Sequence, residues 1–144
     1  MRAHASTLAL IGARKPPRPA GRQFAGLVAL GPGMVPFAAV DKLSRKLGIE
    51  PRRLLRTIGI PDRTAARRKK QGFLAPEEAD RLLRVARVVE EAVRIFGSEQ
   101  KAARWLETAH PLLGGVPPRE LLDSDAGVQL VRDELTRIDY GDFA

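Results

Sequence analysis

The chain has 144 residues, of which 44% are hydrophobic, and it carries a formal net charge of +8. This is enough apolar material for a compact core in one domain or two small ones, and it excludes a chain that is disordered as a whole. The absence of cysteine excludes disulfides, thiolate nucleophiles and cysteine-based zinc sites, and it fits a reducing cytoplasm, which is where we expect the protein.

The charges are distributed unevenly along the chain. Residues 41–72 contain 11 Lys and Arg against 3 Asp and Glu, and residues 1–40 contain 5 against none. Residues 73–144 contain 9 against 14. The segment 41–72 therefore suits a polyanion such as nucleic acid, whereas the acidic remainder does not. No apolar run approaches the roughly 20 residues of a membrane-spanning helix, so no membrane partner is expected.

The first part of the chain predicts an arm followed by two helices. Residues 1–21 are rich in proline, arginine and alanine without a sustained period, which predicts a mobile basic arm. From Val35 apolar residues recur at three- and four-residue spacing, and Gly48 ends this helical pattern. A second helix is expected from Pro51 to Gly59, because proline is tolerated in the first turn of a helix.

A tight corner and a basic helix follow. Gly59 can adopt a positive φ, Ile60 fills the corner, and a third helix over about 61–71 has almost no apolar face beyond two alanines. Two helices joined by a glycine-containing corner, with a basic second helix, are typical of a helix-turn-helix, whose second helix enters the major groove of DNA. Residues 22–72 are therefore predicted to form a DNA-binding module.

The residue types of this module suggest which side chains contact DNA. Arginine can form two hydrogen bonds with a guanine edge, threonine can bond a base or touch a thymine methyl, and the other cations suit phosphates. The expected base-reading residues are Arg63, Thr64, Arg67 and Arg68. The expected phosphate contacts are Arg52, Arg53, Arg56, Lys69 and Lys70. Each neutralised phosphate releases counterions, so binding should weaken steeply with salt.

Residues 73–144 are predicted to form a second helical module. Its longest helix, about 76–96, is apolar on more than one side, so it must be buried centrally in its own fold or partly against a second subunit. Further helices are expected after Ser98 and Ser124, which suit N-caps, with a structured loop over 110–118 between them. Nothing in the chain alternates like a strand, so the predicted fold class is all-α with seven or eight helices.

Candidates for catalysis are few. Neither His4 nor His110 lies on an evident catalytic or metal-binding face, and Ser124 before an acid is typical of a helix cap. We therefore predict no catalytic residue, no metal site and no cofactor, and a protein that is not an enzyme. Other classes stay open at this point: a solvated basic helix without a nucleic-acid partner, an RNA-binding protein, and an enzyme of unknown type.

Five short motifs follow one another between residues 34 and 144. They are Gly59-Ile60-Pro61-x-Arg63-Thr64, Pro76-Glu77-Glu78-x-Asp80-Arg81-Leu82, Trp105-Leu106, Leu113-Gly114-Gly115 with Pro118, and Arg137-Ile138-x-Tyr140-Gly141. In this order they resemble the Xre/MbcA/ParS antitoxin family. The resemblance implies an Xre-like helix-turn-helix module followed by a small helical toxin-binding domain.

The resemblance also implies a function. It implies the antitoxin of a type II toxin–antitoxin system, which neutralises a RES-domain toxin by occluding its active site and represses its own operon. RES-domain toxins consume NAD or use it for ADP-ribosylation. By the same resemblance, residues 73–144 bind the toxin and dimerise, and a homodimer or higher toxin–antitoxin assembly is expected on double-stranded operator DNA.

Specific residues of the second module follow from the same resemblance. The residues expected to contact the toxin are Trp105, Leu113, Gly114, Gly115, Pro118, Tyr140, Gly141 and Phe143. Dimerisation is expected through the helix over 76–96. The main alternative is a stand-alone helix-turn-helix transcriptional repressor whose C-terminal half only dimerises and which has no toxin partner.

Overall fold

The computed structural model describes residues 35–141. Six α-helices and two short 3-10 helices make up this range, which contains no strand beyond two isolated bridges. The α-helices are α1 (Ala38–Leu47), α2 (Pro51–Thr57), α3 (Asp62–Gln71), α4 (Pro76–Phe96), α5 (Glu99–Glu107) and α6 (Asp125–Asp139). The 3-10 helices, Pro111–Leu113 and Pro118–Leu121, lie between α5 and α6. The all-α prediction is confirmed, while the predicted arm and Phe143 lie outside the described residues.

The helices begin and end where local signals in the sequence place them. Gly48 follows α1 with a left-handed φ of 67°. The hydroxyls of Ser98 and Ser124 accept hydrogen bonds of 3.1 and 3.0 Å from backbone N–H groups in the first turns of α5 and α6. The third helix starts at Asp62, one residue later than expected, because Pro61 has an extended backbone and occupies the N-cap position.

α4 lies at the centre of the fold, and nine of its 21 residues are buried. Helices α1, α5 and α6 all pack on it. Burial within its own chain therefore accounts for these nine residues, while contact of this helix with a second subunit stays a prediction. A single apolar core runs through both predicted modules, and the most deeply buried leucines outside α4 that belong to it are Leu43, Leu54, Leu106 and Leu135.

Glu78, in the first turn of α4, is a buried acid, with only 7% of its surface exposed. Its carboxylate accepts hydrogen bonds of 2.7 Å from Arg68 Nε and 2.8 Å from the Ala75 N–H. Burial alone would raise the pKa of Glu78, but these hydrogen bonds and the charges of Arg68 and Arg81 hold it below its ordinary value. The ionised carboxylate thus joins the start of α4 to α3.

Replacing Glu78 by glutamine keeps an oxygen for the Ala75 N–H but removes the charged partner of Arg68. We expect Glu78→Gln to lower the free energy of unfolding by about 1–2 kcal/mol at neutral pH. Folding lowers the pKa of this carboxyl. The stability that the ionised carboxylate contributes is therefore complete at pH values above its ordinary pKa of 4.5, and it is lost as the pH falls through the lowered pKa. Urea denaturation at several pH values should show the two proteins converging in acid. Glu77→Gln, at the exposed neighbour, is the matched control, and an equal loss there would contradict the assignment.

Gly127, in the first turn of α6, is the point of closest approach between α6 and the second 3-10 helix. A Cβ at this position would lie 1.8 Å from the carbonyl oxygen of Leu121, so no larger residue fits without a backbone shift. The sequence gives no sign of this contact, because Gly127 lies inside a regular helical pattern.

Gly127→Ala tests how rigidly this contact holds the second module. We expect a loss of about 2–3 kcal/mol in the free energy of unfolding, although alanine has the higher helix propensity, because the added methyl overpacks the site. Gly97→Ala is the control, since its Cβ would meet open space and only the φ of 87° opposes it, at about 1 kcal/mol. Thermal denaturation measures both variants. A smaller loss for Gly127→Ala than for Gly97→Ala would show that the contact relaxes easily.

Candidate functional site

α3 presents a cationic face to solvent. Its one buried residue is Ala65, whereas Arg63, Arg67 and Lys70 are exposed and recur at spacings of four and three residues, which places them on one side of the helix. None of these three cations makes an ion pair with any residue in the range 35–141. Lys69 is exposed as well, and Thr64 is half-buried. An anionic partner could therefore bind this face without first breaking an ion pair within residues 35–141.

The expected phosphate-binding residues of α2 are exposed but partly paired. Arg52 makes two hydrogen bonds to Asp62 at the start of α3, from a terminal nitrogen at 2.5 Å and from Nε at 3.2 Å. The hydrogen bond from Arg52 is the main cause that lowers the pKa of Asp62. A terminal nitrogen of Arg53 lies 3.6 Å from Glu120 in the second 3-10 helix. Arg56 is exposed beside them.

Arg68 is placed differently from the other cations of α3. Its side chain is only 18% exposed, and its Nε donates the 2.7 Å hydrogen bond to Glu78 described above. A terminal nitrogen donates to Gln71 Oε1 at 3.1 Å. Sequence reasoning grouped Arg68 with the outward, base-reading residues, but its guanidinium faces α4. Position 78 does carry a signal that could have been used, because glutamate is favoured at the third position of a helix, where it bonds the backbone before it.

The corner between α2 and α3 is held by Arg81 of α4. A terminal nitrogen of Arg81 donates a 2.9 Å hydrogen bond to the carbonyl of Ile58 at the end of α2. A Cβ on Gly59 would lie 2.5 Å from that nitrogen, and the φ of Gly59 is 74°. The positive φ therefore requires glycine here, and a Cβ would in addition displace the flexible end of the Arg81 side chain. The sequence indicated the requirement for glycine, whereas nothing in it marks Arg81 as a contact.

In the second module, a compact loop over residues 110–116, the glycine loop, exposes two glycines to solvent. The His110 N–H donates to the Val116 carbonyl at 3.2 Å, and the His110 carbonyl accepts from the N–H groups of Leu113 and Gly115 at 3.0 Å each. Gly114 and Gly115 are both exposed, with φ values of 75° and 76°. Leu113 is 8% exposed and anchors the loop from beneath.

The loop is joined to α6 by Glu134, which is 6% exposed. His110 Nε2 lies 3.3 Å from the Glu134 carboxylate, and Arg137 bonds both carboxylate oxygens at 2.7 and 3.0 Å. The hydrogen bonds from Arg137 lower the pKa of Glu134, although its burial acts in the opposite direction. His110 Nδ1 accepts the Leu112 N–H at 3.3 Å, which leaves the Nε2 side of the ring facing Glu134.

The residues expected to contact a toxin differ in exposure. Trp105 is half-buried, with its ring centroid 5.4 Å from that of Phe96. Leu113 and Pro118 are buried, so in this conformation they support the loop from within. The exposed members of the set are Gly114, Gly115, Tyr140 and Gly141, and Tyr140 is 83% exposed.

Two exposed apolar residues near these elements were missed by sequence reasoning. Leu112 is 64% exposed and Leu130 is 53% exposed, and with Tyr140 they are the large exposed hydrophobic residues of the part of the chain that the structure describes. Leu130 carries a usable signal, because it lies off the stripe of apolar residues on α6 that the core buries. Leu112 cannot be told from its buried neighbour Leu113 by residue type.

Other kinds of site are not found among residues 35–141. This range holds no group of three or more histidine and acidic side chains that could bind a metal ion. None of its helices is long and apolar enough to cross a membrane.

Comparison with known proteins agrees with this geometry. Residues 27–87 match the antitoxin Xre-like helix-turn-helix domain, and residues 91–141 match the antitoxin Xre/MbcA/ParS C-terminal toxin-binding domain. The two matches meet within α4, whereas the boundary expected from the sequence preceded this helix.

Three individual proteins that are similar in sequence support the same family. An antitoxin Xre from Yersinia enterocolitica is 35% identical over 107 residues, which cover 73% of this chain and 72% of that protein. An antitoxin Xre from Photorhabdus laumondii is 33% identical over 109 residues, or 74% of each chain. One from Pseudomonas putida is 34% identical over 83 residues, which cover 57% of this chain and 52% of that protein. The chain therefore belongs to the Xre/MbcA/ParS antitoxin family, with a helix-turn-helix domain followed by a toxin-binding domain.

Proposed function

We propose that this protein is the antitoxin of a type II toxin–antitoxin system that neutralises a RES-domain toxin and represses its own operon. The observation that carries the proposal is the separation of two exposed surfaces on one fold: the unpaired cations of α3 in the helix-turn-helix domain, and the glycine loop with Tyr140 in the toxin-binding domain. The identity of the toxin as a RES-domain enzyme that uses NAD follows from the motif resemblance.

In the DNA-binding step, α3 is the recognition helix. Arg63 and Arg67 project from its outer face toward base edges, with Thr64 beside them. Lys69, Lys70 and Arg56 supply phosphate contacts, and Arg52 and Arg53 join them when the duplex replaces their carboxylate partners. Binding as a dimer places two recognition helices on a palindromic operator. Dimerisation through α4 stays a prediction, and the half-buried Val93, Ile95 and Phe96 near its C-terminal end leave apolar surface for such a contact.

In the toxin-binding step, the surface around the glycine loop enters or covers the active site of the toxin. Gly114 and Gly115 allow close approach of a partner's backbone, and Leu112, Leu130 and Tyr140 offer apolar area that is not needed for the fold. Trp105, Leu113 and Pro118 support this surface from within. No catalytic group is required of the antitoxin, because occlusion of the toxin's NAD pocket is sufficient to stop its reaction.

Co-expression with the product of the neighbouring gene tests toxin binding. We expect the two proteins to co-purify and the antitoxin to restore growth. Tyr140→Ser and Leu112→Ser should weaken the complex about tenfold or more, because each removes an exposed apolar anchor without opening the core. Arg67→Gln is the control, since it changes the other surface and should still protect cells. Full protection by the Tyr140→Ser, Leu112→Ser double variant would contradict the proposed surface.

Fluorescence anisotropy with a duplex from the region upstream of the gene tests DNA binding. We expect tight binding at low salt, and Arg67→Gln should bind the upstream duplex about tenfold or more weakly while losing less affinity for a mixed-sequence duplex, because Arg67 reads bases. Arg104→Gln is the matched control, because it removes one exposed charge from α5 in the other module. Equal effects of the two substitutions would show that only the net charge matters, which is the behaviour of a solvated basic helix.

The stand-alone repressor remains the second candidate for the same fold. It shares the DNA-binding prediction but requires neither a partner nor an exposed Tyr140. Deletion of residues 73–144 cannot separate the two candidates, because α4 completes the core under the helix-turn-helix. Co-purification with the neighbouring gene product separates them in the intact chain.

A further inference from the structure

The recognition helix has little apolar surface with which to hold itself in place. Of its ten residues, Ala65 is the one that is buried, and alanine contributes only a single methyl to the core. A helix that reads bases must nevertheless be fixed in direction, because a small rotation moves every side chain on its outer face. Polar contacts must therefore supply the anchoring that apolar packing does not.

Besides the exposed pair of Arg52 and Asp62, two such contacts are present at α3 and the corner before it, and both come from the first two turns of α4. Toward the C-terminal end of α3, Arg68 Nε donates to the buried carboxylate of Glu78 at 2.7 Å. At the corner before α3, Arg81 donates to the carbonyl of Ile58 at 2.9 Å and occupies the space beside Gly59. Glu78 and Arg81 are three residues apart, so they lie on the same side of α4.

We propose that Arg68 is a positioning residue, which together with Glu78 and Arg81 fixes the direction of the recognition helix, while Arg63 and Arg67 do the base reading. This inference rests on the DNA binding proposed above. It assigns to Arg68 a role different from that of its neighbour Arg67, although the two residues are identical in type and adjacent in sequence.

The geometry supports this division. The Arg68 side chain is 18% exposed and directs two of its nitrogens to Glu78 and Gln71. Arg67 is exposed and makes no ion pair within residues 35–141. For Arg68 to reach a base edge, it would have to leave a buried carboxylate without its cation, which is costly in a poorly solvated site.

The test compares four variants of the full chain: Arg67→Gln, Arg68→Gln, Glu78→Gln and the control Glu77→Gln. Binding to a mixed-sequence duplex is measured by anisotropy over a range of salt. On this duplex no specific base contact forms, so the exposed Arg67 contacts phosphates and Arg67→Gln should lower the salt slope by about one, whereas Arg68→Gln should leave it nearly unchanged. On the upstream duplex, Arg68→Gln and Glu78→Gln should each weaken binding about tenfold, and the double variant no more than either alone. A salt slope that falls equally in Arg67→Gln and Arg68→Gln would overturn the proposal.

Amide hydrogen exchange of residues 62–71 gives a second measurement that does not need DNA. Glu78→Gln and Arg68→Gln should speed exchange in α3 selectively, whereas Glu77→Gln and Arg67→Gln should not. Unchanged exchange in Glu78→Gln would refute the anchoring role. The proposed function fails by a different result, namely that the wild-type protein does not bind the upstream duplex more tightly than the mixed-sequence duplex. Even then, the hydrogen-exchange measurement still decides the role of Arg68.

Discussion

Most of the apolar residues of α4 are buried against helices from both ends of the described chain, which joins the two modules in one core. The first turns of α4 carry Glu78 and Arg81, which hold α3 and the corner before it. Its later turns pack against α5 and α6, which carry the toxin-binding match. Both exposed surfaces therefore depend on the position of α4. The two modules share one apolar core, and neither has a core of its own.

The positions of the helices could be predicted from the sequence because their signals are local. Gly48, Pro51, Ser98 and Ser124 act on residues within a turn of themselves, and the apolar period of α4 is visible in the sequence alone. The same holds for the separation of charge between the two modules. Physical rules that act over three or four residues need no knowledge of the rest of the fold.

The details of the candidate sites could be predicted less well because they depend on distant pairing. The contact of Arg68 with Glu78 and that of His110 with Glu134 join residues that no local rule connects. Leu112 and Leu113 are identical in type and adjacent, yet one is exposed and the other is buried. A sequence gives the residues that could serve at a surface, whereas the packing decides which of them face outward.

The shared core has a consequence for how the protein would be removed from a cell. Because α4 completes the packing on both sides, the chain should unfold as one cooperative unit, with no intermediate in which one half stays folded. Under the function proposed above, a protease that captures the open state would free the operator and release the toxin in the same event. Transcription of the antitoxin gene and activity of the toxin would then begin together. The rate at which new antitoxin is made would decide which of the two prevails.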